Sequence, residues 1–287
     1  MKKWTMLLLS LLLLIPCLCA AQEGVIIDKT RGEAADFSFA DDAQLLEVYF
    51  PRVYGCDAAL VRFGEHTMLI DSAGMQWEEV QSLLKRLGVK ELTYAVNSHP
   101  DADHIGGLNS IAKRYPIGEF LLGFPEDYDA GDEVRFFVYS ELHKLNVPFR
   151  RVQEGDTIDF GGVSITVHQR TDETLPRVNN KSVTLMIRYG ERSIYFTGDI
   201  QGPAQDLLAG SGLDLKTDIL KFPHHGYKPM QEEFLAATHP ALVVATSGQV
   251  NEEGIVQLRE KGIPTMMTAN QMLKLTTDGS VWVVEKL

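Results

Sequence analysis

The stretch NSHPDADHIGG, residues 97–107, places two histidines and two aspartates within six residues, His99 to His104. It follows LTYAV (92–96), a run whose apolar and aromatic residues suit a buried strand. The ligand-type side chains therefore fall in the loop at a strand end, backed by Gly106 and Gly107. Imidazoles and carboxylates at such close spacing are what a divalent metal requires, and an incidental polar loop rarely supplies four of them.

Upstream, QLLEVYF (44–50) has the composition of a strand. AALVRF (58–63) and HTMLID (66–71) flank Gly64 as a hairpin. WEEVQSLLKRLGV (77–89) carries Trp77, Val80, Leu83, Leu84 and Leu87 at helical spacing. Downstream, helices are expected at 106–115, 133–146, 230–238 and 252–262. Strands are expected at 120–124, 149–153, 163–169, 182–190, 192–199, 218–222, 241–247, 265–268 and 281–286. Two strand-rich halves, each closing with helices, bury their apolar surface best as two facing sheets with helices outside.

The N-terminus reads as an export signal. Lys2 and Lys3 precede an apolar run from Met6 to Pro16, and Cys19 and Ala21 suit cleavage after Ala21. The run is shorter than the roughly 20 residues of a membrane span. The expectation is a signal peptide at 1–21, an irregular segment at 22–42 and one domain at 43–287. The location would then be extracellular, periplasmic or at the cell envelope, with no integral membrane domain. A lipid anchor at Cys17 or Cys19 is the less favoured alternative, because Pro16 and Leu18 precede them where a lipidation signal prefers a small residue. The mature chain keeps only Cys56, so it can form no internal disulfide. The sequence leaves the oligomeric state open. The formal charge is −12, and removal of Lys2 and Lys3 makes it more negative. Such a chain repels polyanions at long range, although bound metals would supply local positive charge.

Four segments now align: LIDS with Asp71, SHPDADHIGG, TGDI with Asp199 and KFPHHG with His224 and His225. Their order and spacing resemble the metallo-β-lactamase fold superfamily, which implies an α/β chain built as a four-layered αββα sandwich. SHPDADHIGG, NNKSVTLMIRYGERSIYFTGDI and DILKFPHHG are more specifically similar to the hydrolase domain of bacterial competence DNA-uptake channels and its free-standing exported relatives.

The resemblance implies His99 and Asp101 at a first metal position, and Asp103, His104 and His225 at a second. It also implies Asp199 as a bridge, Asp71 as a support and one or two divalent ions. Asp101 stands where the general pattern has a histidine. Carboxylate oxygen in place of imidazole nitrogen hardens that position toward manganese or magnesium, while the second suits zinc or manganese. A metal lowers the pKa of its water to roughly 7 in favourable sites, with Asp103 holding the nucleophile in line. Hydrolysis of a phosphodiester, in a nucleotide or nucleic acid, fits best.

Asn179 and Asn180 occupy the region of a missing third histidine, as turn residues or as substrate or metal contacts. His224 is expected behind the ligands or on substrate. Lys221 reads either as a substrate contact or as a solvated strand-edge lysine. YKPM (227–230) replaces the serine and threonine that usually follow HHG, and SGQVNEEG (247–254) lacks a customary histidine. These departures keep two alternatives open: a non-catalytic metal-binding module of the same fold, and a hydrolase of non-phosphate esters.

Overall fold

The computed structural model describes residues 26–31, 36–128, 133–172 and 174–287, so the expected signal peptide lies outside the described residues. In the first half, β1 (Ile26–Asp28), β2 (Leu46–Phe50), β3 (Ala59–Phe63) and β4 (His66–Ile70) precede α1 (Trp77–Arg86). Then come β5 (Leu92–Asn97), α2 (Ala102–Ile105), α3 (Leu108–Ala112), β6 (Ile117–Leu122), α4 (Val134–Lys144) and β7 (Phe149–Arg151). The second half begins with β8 (Thr157–Phe160), β9 (Val163–His168), β10 (Thr184–Tyr189) and β11 (Arg192–Phe196). It continues through α5 (Gly202–Ala209), β12 (Ile219–Lys221), α6 (Glu232–Thr238), β13 (Leu242–Ala245), α7 (Glu252–Glu260) and β14 (Thr265–Met267), and ends with β15 (Leu273–Thr277) and β16 (Trp282–Lys286).

One sheet has the order β1-β16-β15-β2-β3-β4-β5-β6-β7 and the other β14-β13-β12-β11-β10-β9-β8. Strand periodicity sends alternate side chains to opposite faces. Leu46, Val48 and Phe50 of β2 thus meet Ile165, Ile187 and Phe196 of the other sheet in a shared core, while Tyr49 faces outward under the helices. On the first sheet's outer face, Val80, Leu83, Ile111, Val138 and Leu142 cover Leu60, Leu69 and Phe120. On the second, Ala204, Leu208, Phe234 and Leu258 cover Tyr195, Leu220 and Val243. The result is the expected αββα layering. In α1, Glu78 and Glu79 in the first turn and Lys85 and Arg86 in the last complement the helix dipole.

Several features differ from the sequence expectation, two of them in the first sheet. Ile26–Asp28, within the stretch read as irregular, pairs in parallel with β16 at the sheet edge. The last hairpin does not stay with the second half: β15 pairs with β2 and carries β16 into the first sheet. Trp282 of β16 is fully buried in the shared core, so Trp282→Ala should cost about 3–5 kcal/mol, read by urea unfolding. A cost under ~1 kcal/mol would contradict the placement of this hairpin.

Candidate metal centre

The parallel strands β4, β5, β11, β12 and β13 all deliver polar residues from their C-terminal ends. Loops at this end of parallel strands are where α/β sheets assemble sites. β4 leads to Asp71, β5 to Ser98 and His99, β11 to Asp199, β12 to the His224–His225 turn and β13 to Thr246. Asp57 joins them from the loop before β3. The double glycine after His104 has a steric cause: a Cβ at Gly107 would lie 2.1 Å from the Ser72 carbonyl oxygen and 2.6 Å from Trp77 Cβ. Only glycine lets α2 lie against that turn.

His104 and His225 present their Nε2 atoms to the same place. Each is 3.2 Å from Asp199 Oδ2, and they stand 3.6 and 3.3 Å from Asp103 Oδ2. Their other nitrogens are engaged: His104 Nδ1 lies 2.9 Å from Asp71 Oδ2, and His225 Nδ1 lies 3.0 Å from Asp57 Oδ1 and 3.1 Å from Thr246 Oγ1. Carboxylates at Nδ1 fix ring orientation and make Nε2 a better donor to a metal. Both Nε2 atoms are buried without a hydrogen-bond partner, as is Asp199 Oδ1. Buried lone-pair atoms left without a partner are costly, and a cation among them would relieve that cost.

Beside this cluster, His99 Nε2 lies 3.4 Å from Asp101 Oδ2 and 4.0 Å from Asp199 Oδ2. Asn179 Nδ2 lies 3.3 Å from Asp101 Oδ2 and 3.5 Å from His99 Nε2. Asn179 therefore sits against the first group. Asn180 is engaged elsewhere: its amide donates to the Pro176 carbonyl and its oxygen accepts from the Gln201 N–H, so it ties two loops together. His224 is partly exposed, with Nε2 3.8 Å from Asp199 Oδ2 and Nδ1 3.3 Å from Gln201 Nε2. Both adjacent histidines hold left-handed backbone, φ 51° and 55°, a conformation that costs non-glycine residues and is retained mainly at functional sites, and both turn Nε2 toward Asp199 Oδ2.

Lys221 corrects the solvated reading. It is 2% exposed, with its ammonium bonded to Asp57, 3.0 Å from the Gly198 carbonyl oxygen and 3.5 Å from Asp199 Oδ1. Buried behind Asp199, it cannot reach a substrate. Asp57 and Thr246, which bond each other, were not singled out from sequence. The available signal was parity: Asp57 lies two residues ahead of Ala59, and Lys221 two beyond Ile219, so both continue inter-sheet faces.

Electrostatics follow from this geometry. Burial would lower the pKa of His104, but the Asp199 and Asp71 carboxylates raise it well above its usual value. Burial likewise opposes a rise at His225, which Asp199 and Asp57 nevertheless push to about 12. Burial would raise Asp199, yet His104, His225 and Lys221 hold it well below the usual carboxylate range. For Asp57, Lys221 is the first charge to overcome the burial penalty and hold the carboxyl down. The field is one that draws positive charge, as protons or as metal ions.

The Metallo-beta-lactamase superfamily profile matches residues 51–245. The chain belongs to the metallo-beta-lactamase superfamily. Membership supports a metal-dependent hydrolase, and the buried ligand atoms of Asp57, His104, Asp199 and His225, all within 4.8 Å of one another, form a cluster able to bind a divalent ion. Within it, Asp57 is the member already committed to His225 and Lys221.

Among similar proteins, Competence protein ComA of Neisseria gonorrhoeae is 29% identical over 199 residues, 68% of this chain and 26% of that protein. ComE operon protein 3 of Bacillus subtilis is 25% identical over 165 residues, 57% of this chain and 21% of that one. The chain thus spans about a quarter or less of these relatives. The metallo-beta-lactamase fold protein YhfI from Bacillus subtilis aligns with TM-score 0.53 at 10% identity, covering 78% of this chain and 96% of that one, and shares the fold.

Lys221→Met should destabilise the chelated protein by roughly 3–5 kcal/mol, because it strips Asp57 and Asp199 of a shared buried counter-charge and leaves Asp57 only His225. Urea unfolding in chelator measures this, and a loss under ~1 kcal/mol would contradict the ion-pairing role.

Proposed function

We propose that the protein is an exported metal-dependent phosphodiesterase acting on nucleotide or nucleic-acid esters. The observation that carries the proposal is the convergence of two orphaned imidazole nitrogens and the Asp103 carboxylate on Asp199 Oδ2. His99, Asp101 and Asp199 would hold one ion, with Asn179 beside them. Asp103, His104, His225 and Asp199 would hold the other, zinc or manganese, while the carboxylate of Asp101 turns the first toward manganese. A bound divalent ion supplies Lewis acidity, ionising water near neutral pH and drawing charge from phosphoryl oxygens.

The chain's own groups supply the rest. Asp71 and Asp57 lock the two imidazoles through Nδ1. Asp103, with its side chain 43% exposed, faces the solvent side, where its carboxylate can orient an attacking water and accept its proton. His224, also at that mouth, can donate a hydrogen bond to the ester. Asn179 offers an amide N–H to a phosphoryl oxygen.

The likeness to competence proteins supports a nucleic-acid or nucleotide substrate, and the net charge of −12 favours short substrates over long polyanions. The N-terminal sequence pattern supports export.

Hydrolysis of bis(p-nitrophenyl) phosphate should vanish with chelator, return with manganese or zinc, and fall at least about a hundredfold in Asp103→Ala, a loss of ~2.7 kcal/mol in transition-state stabilisation. Activity that survives exhaustive chelation would refute the proposal. Asp71→Asn should weaken metal affinity by about 10–100-fold, measured by competition with a chromophoric chelator, while unchanged affinity would remove Asp71 from its supporting role.

A further inference from the structure

The mouth of the metal centre carries apolar groups that the hydrolytic machinery does not use. Tyr227 follows the histidine turn, and its ring stands 5.4 Å from that of His224 and 5.3 Å from that of His225, tilted by 73° and 57°. Its N–H donates to the His224 carbonyl, while the residue remains 41% exposed. Across the mouth, the backbone of Gly55 makes room for the phenol. A Cβ there would lie 2.7 Å from the Tyr227 hydroxyl oxygen.

Next to Gly55, Tyr54 is 63% exposed, and a pair of hydrogen bonds between its backbone and the Gln76 side chain clamps it to the 74–76 turn. That turn presents Met75, 98% exposed, immediately after Gly74, which packs on the Ala102–Asp103 backbone. Three of the ten large apolar side chains exposed among the described residues thus sit on segments that adjoin Tyr227 or the Ala102–Asp103 backbone, and Asp101, Asp103 and His224 are themselves partly exposed.

Exposed aromatic rings at an otherwise polar, acidic opening serve a ligand that has a planar apolar part. Resting on the phosphodiesterase proposal, we infer that Tyr227 is a specificity-determining residue that stacks a nucleobase attached to the scissile phosphodiester, with Tyr54 and Met75 completing the apolar rim. Base stacking on an aromatic side chain is sequence-tolerant, because every base has a π-face. The site would therefore select nucleosidic over simple alkyl phosphodiesters without reading one base. The chain's negative charge favours mononucleotide or short oligonucleotide esters.

The test compares thymidine 5′-(p-nitrophenyl phosphate) with its base-free analogue, which keeps the deoxyribose and the leaving group, on metal-loaded wild type, Tyr227→Phe and Tyr227→Ala. The readout is the ratio of kcat/KM values for the two substrates. In parallel, calorimetry measures binding of thymidine 5′-monophosphate and deoxyribose 5-phosphate to the same three proteins.

Wild type and Tyr227→Phe should prefer the base-bearing molecule about tenfold, and Tyr227→Ala should lose most of that preference. No preference in wild type, or one that survives in Tyr227→Ala, overturns the inference while leaving the hydrolase proposal intact. An equal loss on both substrates in Tyr227→Ala also overturns it, since the residue then acts only structurally. If neither ester is cleaved but Tyr227-dependent preference persists in binding, the stacking inference stands and the phosphodiesterase proposal falls.

Discussion

Five aspartates, Asp57, Asp71, Asp101, Asp103 and Asp199, meet where the two sheets open, and three of them, Asp57, Asp71 and Asp199, are buried. One buried ammonium, Lys221, stands against this charge. Carboxylates removed from water at this density are tolerated only when paired, protonated or bound to cations. This field raises the proton affinity of His104 and His225. With metal, the same field becomes the binding free energy. The histidine turn brings an imidazole to this point, and Asp71 and Asp57 hold His104 and His225 there through Nδ1.

Lys221 gives the arrangement its asymmetry. It occupies the Oδ1 side of Asp199, with the Gly198 carbonyl, and leaves Oδ2 facing the imidazoles and Asp103. A lysine serves better than water here because it also holds Asp57, which in turn orients His225. One side chain on β12 thereby couples a ligand-bearing loop from each half of the sandwich.

Much of this was legible in the sequence, for identifiable reasons. Long strands with alternating apolar residues, such as 182–189, and the amphipathic helix at 77–86 carry their period locally. The His99–His104 cluster announces itself by density. β8 was missed because TIDF is only four residues between turns, and α5 because it opens on Gly202 and Pro203. The return of β15 and β16 to the first sheet depends on pairing with β2, more than 200 residues away, which no local pattern encodes. Asp57 escaped notice, and Lys221 was read as a substrate contact or a solvated lysine, because a charged residue at a strand end is by default solvated. Only the continuation of the inter-sheet face at Ala59 and Ile219 indicates burial. Asn179 and Asn180 are adjacent and chemically identical, so the 3-10 turn that sends one to His99 and the other to Pro176 could not be read from composition.

In the proposed function, Asp199 would help to hold both cations. Metal content by mass spectrometry, on wild type and Asp199→Ala confirmed as folded, tests it most directly. The account predicts two divalent ions per wild-type chain and loss of both, or retention of one only weakly, in the variant. Two ions held with unchanged affinity by Asp199→Ala, or no ion in gently purified wild type, would contradict it.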